Sequence, residues 1–177
     1  MITILSDDTN QNIGKRVYEG LGERDAEVEY ISLDDVNVGP CFSCGGCTDK
    51  TYGKCIHRDD GDWIFGSLVR SNIMVWVTPV TWGSYSFKTK RVLDKCALIG
   101  DRHYYLKNKE LVKKMADNIQ GFYGIGIKDH CREEEKQAFE NLVAENINIM
   151  SVDGNAYVLD NDASEKIIMK IVEEISR

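Results

Sequence analysis

Residues Ile73-Met74-Val75-Trp76-Val77 are apolar without a break, and the run stops abruptly at Thr78-Pro79-Val80-Thr81-Trp82-Gly83-Ser84. A strand with one wet face alternates polar and apolar residues; a strand covered on both faces does not. The run is therefore read as the central strand of a parallel sheet with helices on both sides. The flanking sequence supplies those layers. Residues 2–6 form a short apolar strand. Ile13, Val17, Tyr18 and Leu21 then recur at helical spacing, with Gly22 as a stop. Val28-Glu29-Tyr30-Ile31 alternates like a strand. Asp59-Asp60 opens a helix striped by Ile64, Phe65, Leu68 and Val69.

The alternation continues past the central strand. Thr89, Val92, Leu93 and Cys96 make a helical stripe, and Leu106 to Met115 is read as a further helix. Phe122 to Ile127 is a glycine-rich strand, and Ala138, Phe139, Leu142 and Val143 stripe a helix. The last strand falls in Ile147–Val152 or Ala156–Leu159, before an amphipathic helix carrying Ile167, Ile168, Ile171, Val172 and Ile175. This order predicts an α/β three-layer sandwich: a five-stranded parallel sheet in the flavodoxin-like order 2-1-3-4-5, helices on both faces. In such sheets ligands bind beyond the carboxyl ends of the strands, so the loops after the first, third and fourth strands are the ones to inspect.

Length and charge narrow the possibilities. A chain of 177 residues suits one domain over 1–177, with a cysteine-rich loop at 40–58. The formal net charge of −7 argues against a nucleic-acid partner. The basic runs Lys88-Thr89-Lys90-Arg91 and Lys107 to Lys114 read as solvated faces. No apolar run approaches the roughly 20 residues of a membrane span, and the first residues read as a strand, not a secretion signal. A cytoplasmic protein with reduced thiols is expected.

Cys41, Cys44, Cys47 and Cys55 are spaced C-x2-C-x2-C-x7-C. Thiols this close share one redox or metal site. Three readings stand: four thiolates on an iron–sulfur cluster; zinc on Cys44, Cys47, Cys55 and His57; or free thiols in a pocket loop. Cys96 reads as a small buried hydrophobe and Cys131 as a surface thiol. Neither His103 nor His130 has ligand-like spacing.

The first loop, Ser6 to Asn12, leads into a helix whose free N–H groups attract phosphate. Ser6, Thr9, Asn10 and Asn12 offer hydroxyl and amide contacts, whereas Asp7 and Asp8 repel an anion. A plain helix cap by Asp8 or Thr9 competes with that reading. In the third-strand loop Pro79 fixes the turn, Gly83 permits close approach to a flat ligand, and Trp82 can stack on a ring or fill the core.

Pro40-Cys41-Phe42-Ser43-Cys44-Gly45-Gly46-Cys47, Gly53-Lys54-Cys55-Ile56, Asp59-Asp60, Thr78 to Ser84, and Lys90-Arg91-Val92-Leu93-Asp94-Lys95 follow one another in this order. In that arrangement residues 1 to about 100 resemble the iron–sulfur flavoproteins and the flavodoxin-like NAD(P)H-dependent FMN reductases. The resemblance implies FMN at the strand ends, with phosphate on the 6–13 loop (Ser6, Thr9, Asn10, Asn12) and the ring against Thr78, Pro79, Val80, Thr81, Trp82, Gly83 and Ser84. For cluster-bearing members it implies a [4Fe–4S] centre on Cys41, Cys44, Cys47 and Cys55. It further implies NAD(P)H as donor, a small-molecule or small redox-protein partner, and a homodimer or homotetramer. Three features depart from the family pattern. The first loop lacks the family's arginine and carries Asp7 and Asp8; Thr81 stands where an aromatic often follows Pro-Val; and Gly126 to His130 lacks the glycine-rich pattern. The functions to weigh are an electron-transfer FMN oxidoreductase, a cluster-free NAD(P)H-dependent FMN or quinone reductase, and a flavodoxin-like binding or zinc module without flavin.

Overall fold

The computed structural model describes residues 1–8, 12–96 and 100–177, so the expected ligands Thr9 and Asn10 lie outside the described residues. In chain order the elements are β1 (Ile2–Ser6), α1 (Ile13–Gly22), β2 (Val28–Ser32), α2 (Gly46–Asp49), α3 (Gly61–Arg70), β3 (Ile73–Pro79) and α4 (Phe87–Asp94). Then follow β4 (Gly100–Lys107), β5 (Glu110–Met115), β6 (Gly121–Ile127), α5 (Glu133–Met150), β7 (Asp153–Leu159) and α6 (Glu165–Ile175). Five strands pair in the order β2-β1-β3-β6-β7, all neighbours parallel. With the β4–β5 pair set aside as an insertion, this is the expected flavodoxin-like 2-1-3-4-5 sheet.

The apolar run is indeed central and covered twice. Its side chains alternate between two separate cores, as the pleat requires. Met74 and Trp76 join Ile64, Phe65 and Leu68 of α3, Val92 of α4, and Phe139 and Val143 of α5. Val75 and Val77 join Ile13, Val17 and Leu21 of α1 and Ile168, Ile171 and Val172 of α6. Gly124 of β6 is the price of close packing on α5: an added Cβ would lie 2.5 Å from the Val143 side chain. No helix among the described residues is long and apolar enough to cross a membrane.

One sequence expectation needs correction, and one open alternative is decided. Leu106 to Met115 is not a helix; it lies in an antiparallel hairpin pairing Leu106 with Leu111 and Lys107 with Glu110. Asn108 and Lys109 between them have φ of 52° and 71°. Left-handed geometry at both central residues is what a two-residue hairpin turn demands, and it cannot continue a right-handed helix. Of the two placements for the last strand, Ala156–Leu159 lies within the observed Asp153–Leu159, whereas Ile147 still belongs to α5, which ends where Ser151 turns left-handed at φ 55°.

Candidate functional site

The carboxyl ends of β1 and β3 are joined by a buried polar network. Ser86 Oγ donates to Asp7 Oδ2, and the Ser86 N–H donates to Thr78 Oγ1 at 3.1 Å. Thr89 Oγ1 donates to Thr78 Oγ1 at 3.1 Å. Lys88 Nζ lies 3.4 Å from Asp7 and also pairs with Asp34. Thr78 is fully buried and engaged within the fold. Ser6 is likewise buried, and its hydroxyl accepts the Asp8 N–H at 3.3 Å. Asn12 is exposed at the helix start with φ 53°. Asp8 Oδ2 accepts the N–H groups of Ile13 at 2.5 Å and Gly14 at 3.2 Å. The carboxylate thus occupies the N–H groups for which a phosphate and a capping Asp8 were the competing readings. Ser86, absent from the expectations, caps α4 through Thr89 N–H at 3.2 Å. Its signal was a serine just before an amphipathic stripe.

The third-strand loop closes on itself. Thr81 and Ser84 exchange both backbone hydrogen bonds, each 2.9 Å, with Trp82 and Gly83 between them at φ 54° and 74°. Their N–H groups are thereby spent; those of Trp82 and Gly83 make no hydrogen bond to another described residue. Trp82 is 85% exposed, so it is not a core aromatic. Pro79 and Thr81 are exposed, Ser84 is half-buried, and Val80 is buried in the core with Trp76 and Phe139. Gly83 presses on α5, where a Cβ would sit 2.7 Å from Ala138 Cβ. Beside it Glu135 accepts from Lys128 at 2.6 Å and Arg132 at 3.1 Å, and these two cations hold its carboxyl below the usual range.

The cysteine segment curls through left-handed Ser43 and Gly45 into the single turn of α2. Cys41, Cys44, Cys47 and Cys55 line one cavity of about 300 Å³, together with Phe42, His57, Asp94 and Lys95. Phe42 and His57 meet ring to ring at 4.8 Å, and the Ser43 N–H donates to Cys41 Sγ at 3.5 Å. Among the described residues no three His, Cys, Asp or Glu side chains gather closely enough for one metal ion. A tetrahedral zinc ion with sulfur at about 2.3 Å would need that convergence, whereas a multi-iron cluster spreads its ligands farther apart.

Asp59, expected to do no more than start a helix, anchors this loop. Its Oδ2 accepts from the Gly39 N–H at 2.8 Å and from Lys95 Nζ, while Oδ1 accepts from the Gly61 N–H at 2.9 Å. Burial alone would raise its carboxyl; the Lys95 hydrogen bond, with those of Gly39 and Gly61, outweighs burial and holds it low. Lys95 is 3% exposed. The pair ties the loop's base, the start of α3 and the end of α4 to one point. No local motif announces it, because the partners are 20 and 36 residues away. Elsewhere Cys96 lines an apolar cavity with Trp76, Phe122 and Met150, and burial pushes its thiol up to about 12. That cysteine is a packing residue, as expected.

Comparisons with known proteins agree with this architecture. The chain is 30% identical over 87 residues to an iron-sulfur flavoprotein of Methanosarcina thermophila, covering 49% of this chain and 44% of the relative. It is 33% identical over 79 residues to an iron-sulfur flavoprotein of Methanocaldococcus jannaschii, covering 45% and 39%. The chain thus spans under half the length of these relatives. An FMN-dependent NADH-azoreductase of Bacillus anthracis, solved with FMN, shares the fold at TM-score 0.64 and 14% identity over 99% of this chain and 95% of that one. An NAD(P)H:quinone oxidoreductase of Methanothermobacter marburgensis does so at TM-score 0.62 and 14% identity, over 99% and 96%. The model of the NADPH-dependent FMN reductases matches residues 6–163, and the chain belongs to that family.

Proposed function

We propose that this chain is an FMN-dependent oxidoreductase of the iron–sulfur flavoprotein type, taking electrons from NAD(P)H and delivering them to a small acceptor. FMN, when bound, supplies two-electron hydride chemistry, and an iron–sulfur cluster supplies one-electron transfer. The observation that carries the reading is the placement of all four cysteines on one cavity that also meets Asp94 and Lys95 at the end of α4. The other end of α4 is Ser86 to Thr89, bound into the network at the strand ends. The whole of α4 is eight residues, about 12 Å from end to end at the α-helical rise.

The two halves of the strand-end site differ in how they suit FMN. The ring half fits: Trp82 is exposed beside Pro79 and Thr81, and its N–H makes no hydrogen bond to another described residue. The phosphate half does not fit as it stands, because Asp8 holds the α1 N–H groups. Cys41, Cys44, Cys47 and Cys55 would hold the cluster. A second reading is a cluster-free reductase, since no three His, Cys, Asp or Glu side chains among the described residues are gathered for a preassembled zinc site. A homo-oligomer completes the proposal, supported by Leu106 and Leu111 standing 73% and 60% exposed on the β4–β5 tip.

Anaerobically purified protein, assayed for iron and sulfide, tests this directly. Flavin bands in the near-UV and blue, with a broad visible shoulder, are expected. Cys44→Ala removes the shoulder and leaves the flavin bands. A shoulder that survives overturns the ligand assignment; yellow protein without iron establishes the cluster-free form.

Trp82 carries a second expectation. A tryptophan in left-handed geometry costs about 1–2 kcal/mol and buries almost nothing in return. Trp82→Asn suits the turn, since asparagine before glycine is the favoured pair there. It should raise Tm by about 2–4 °C for each kcal/mol recovered, while flavin affinity falls. Unchanged affinity would remove Trp82 from the ring site. Strain kept at an exposed aromatic is the kind that marks function.

A further inference from the structure

Asp8 is held where an anion would bind. Its Oδ2 accepts the first two N–H groups of α1, from Ile13 and Gly14, and the residue is only 7% exposed. An added Cβ on Gly14 would lie 2.4 Å from Ser6 Oγ, so β1 and α1 are already in contact behind the turn. A phosphate that takes the Ile13 and Gly14 N–H groups must therefore displace Asp8.

The surrounding charge makes that displacement unfavourable. Asp7, also 7% exposed, accepts from Ser86 and lies 3.4 Å from Lys88, which pairs with Asp34 as well. Asp7, the chain neighbour of Asp8, thus shares the Lys88 ammonium with Asp34. Arg16, one turn into α1, is turned away onto Glu165 Oε2 at 2.7 Å and the Ala163 carbonyl at 2.9 Å. Helix N-termini favour anions, but here that preference is already satisfied from within the chain.

Resting on the flavin reading above, we infer that Asp8 is an internal carboxylate ligand that sets the flavin selectivity of this site. The phosphate of FMN gains little over the neutral ribityl chain of riboflavin, because it must expel a bound carboxylate and stay among its neighbours. FMN is therefore held through its ring and exchanges readily.

Flavin fluorescence titrations of the full flavin-stripped chain, with FMN and with riboflavin, decide the matter. In the wild-type chain the two dissociation constants should agree within about threefold. Asp8→Asn removes the charge and keeps an oxygen that can cap α1. It should tighten FMN at least tenfold, about 1.4 kcal/mol, and leave riboflavin within twofold. Asp8→Ala should shift the same ratio in the same direction. If riboflavin binds and FMN is already tenfold tighter in the wild-type chain, the assignment to Asp8 is overturned while the flavin reading stands. That comparison needs no variant, so a poorly folded Asp8→Asn cannot rescue the inference. An unchanged ratio in folded Asp8→Asn also overturns it. If neither flavin binds any form of the chain, the flavin reading itself fails.

Discussion

Asp59→Ala destabilises the fold by about 3–5 kcal/mol, the usual loss when one partner of a buried ion pair is removed. Asp59 accepts from Lys95 and from the N–H groups of Gly39 and Gly61. Truncation leaves the Lys95 ammonium, 3% exposed, without its carboxylate. It also frees two backbone donors, one at the base of the cysteine segment. At about 2–4 °C per kcal/mol for a chain of this size, Tm should drop by roughly 6–20 °C. The pair also has a pH signature. The folded Asp59 carboxyl lies below its ordinary value of 3.8. Its contribution is therefore complete above that value and is lost as pH falls through the lower folded one. Urea unfolding of wild type and Asp59→Ala at neutral pH and in acid measures both effects, the gap between them narrowing in acid. Asp59→Ala combined with Lys95→Met should lose less than Asp59→Ala alone, because the stranded charge is gone. A single variant within 1 kcal/mol of wild type would show that Asp59 and Lys95 do not hold the loop.

Which features were readable beforehand depended on the range of the forces behind them. β3 announced itself because covering both faces of a strand leaves a continuous apolar run, and Met74, Val75, Trp76 and Val77 are all buried. The stripes of α1 and α6 were equally plain, since Ile13, Val17 and Leu21 meet Ile168, Ile171 and Val172 in one core. The β4–β5 hairpin was missed because its two-residue turn is Asn108-Lys109, without the glycine that normally marks such geometry. The candidate site was legible in part. That four cysteines share a cavity followed from their spacing, and Asp8 as a helix cap was one of two readings of the first loop. Choosing between cap and phosphate needed the distance from Oδ2 to the α1 N–H groups, which no spacing encodes. The Asp59–Lys95 pair and the Ser86–Asp7 bond link segments 36 and 79 residues apart. Such contacts arise only from the sheet order, so local sequence carried no trace of them.

Gly83→Val should cost about 2–5 kcal/mol and remove the ring half of the site with it. Two penalties act together. Left-handed backbone, φ 74° at this position, costs an L-residue about 1–2 kcal/mol. The new side chain also collides with α5: its Cβ falls 2.7 Å from Ala138 Cβ and 3.2 Å from the Glu135 carbonyl. Overpacking of this kind adds about 1–3 kcal/mol. Neither neighbour can yield cheaply, since one is a methyl fixed to a helix and the other is backbone. The Thr81–Ser84 turn must lift away from α5, carrying Trp82 with it. Gly53 separates the two penalties. It has nearly the same φ, 69°, with nothing within 4 Å of an added Cβ, so Gly53→Val should show the backbone cost alone. Urea unfolding of both variants, paired with riboflavin titration, checks the whole chain of reasoning. Gly83→Val should lose more stability than Gly53→Val and should lose flavin binding, while Gly53→Val keeps it. Equal losses in the two variants would mean that the turn does not bear on α5, and retained binding in Gly83→Val would move the ring site elsewhere.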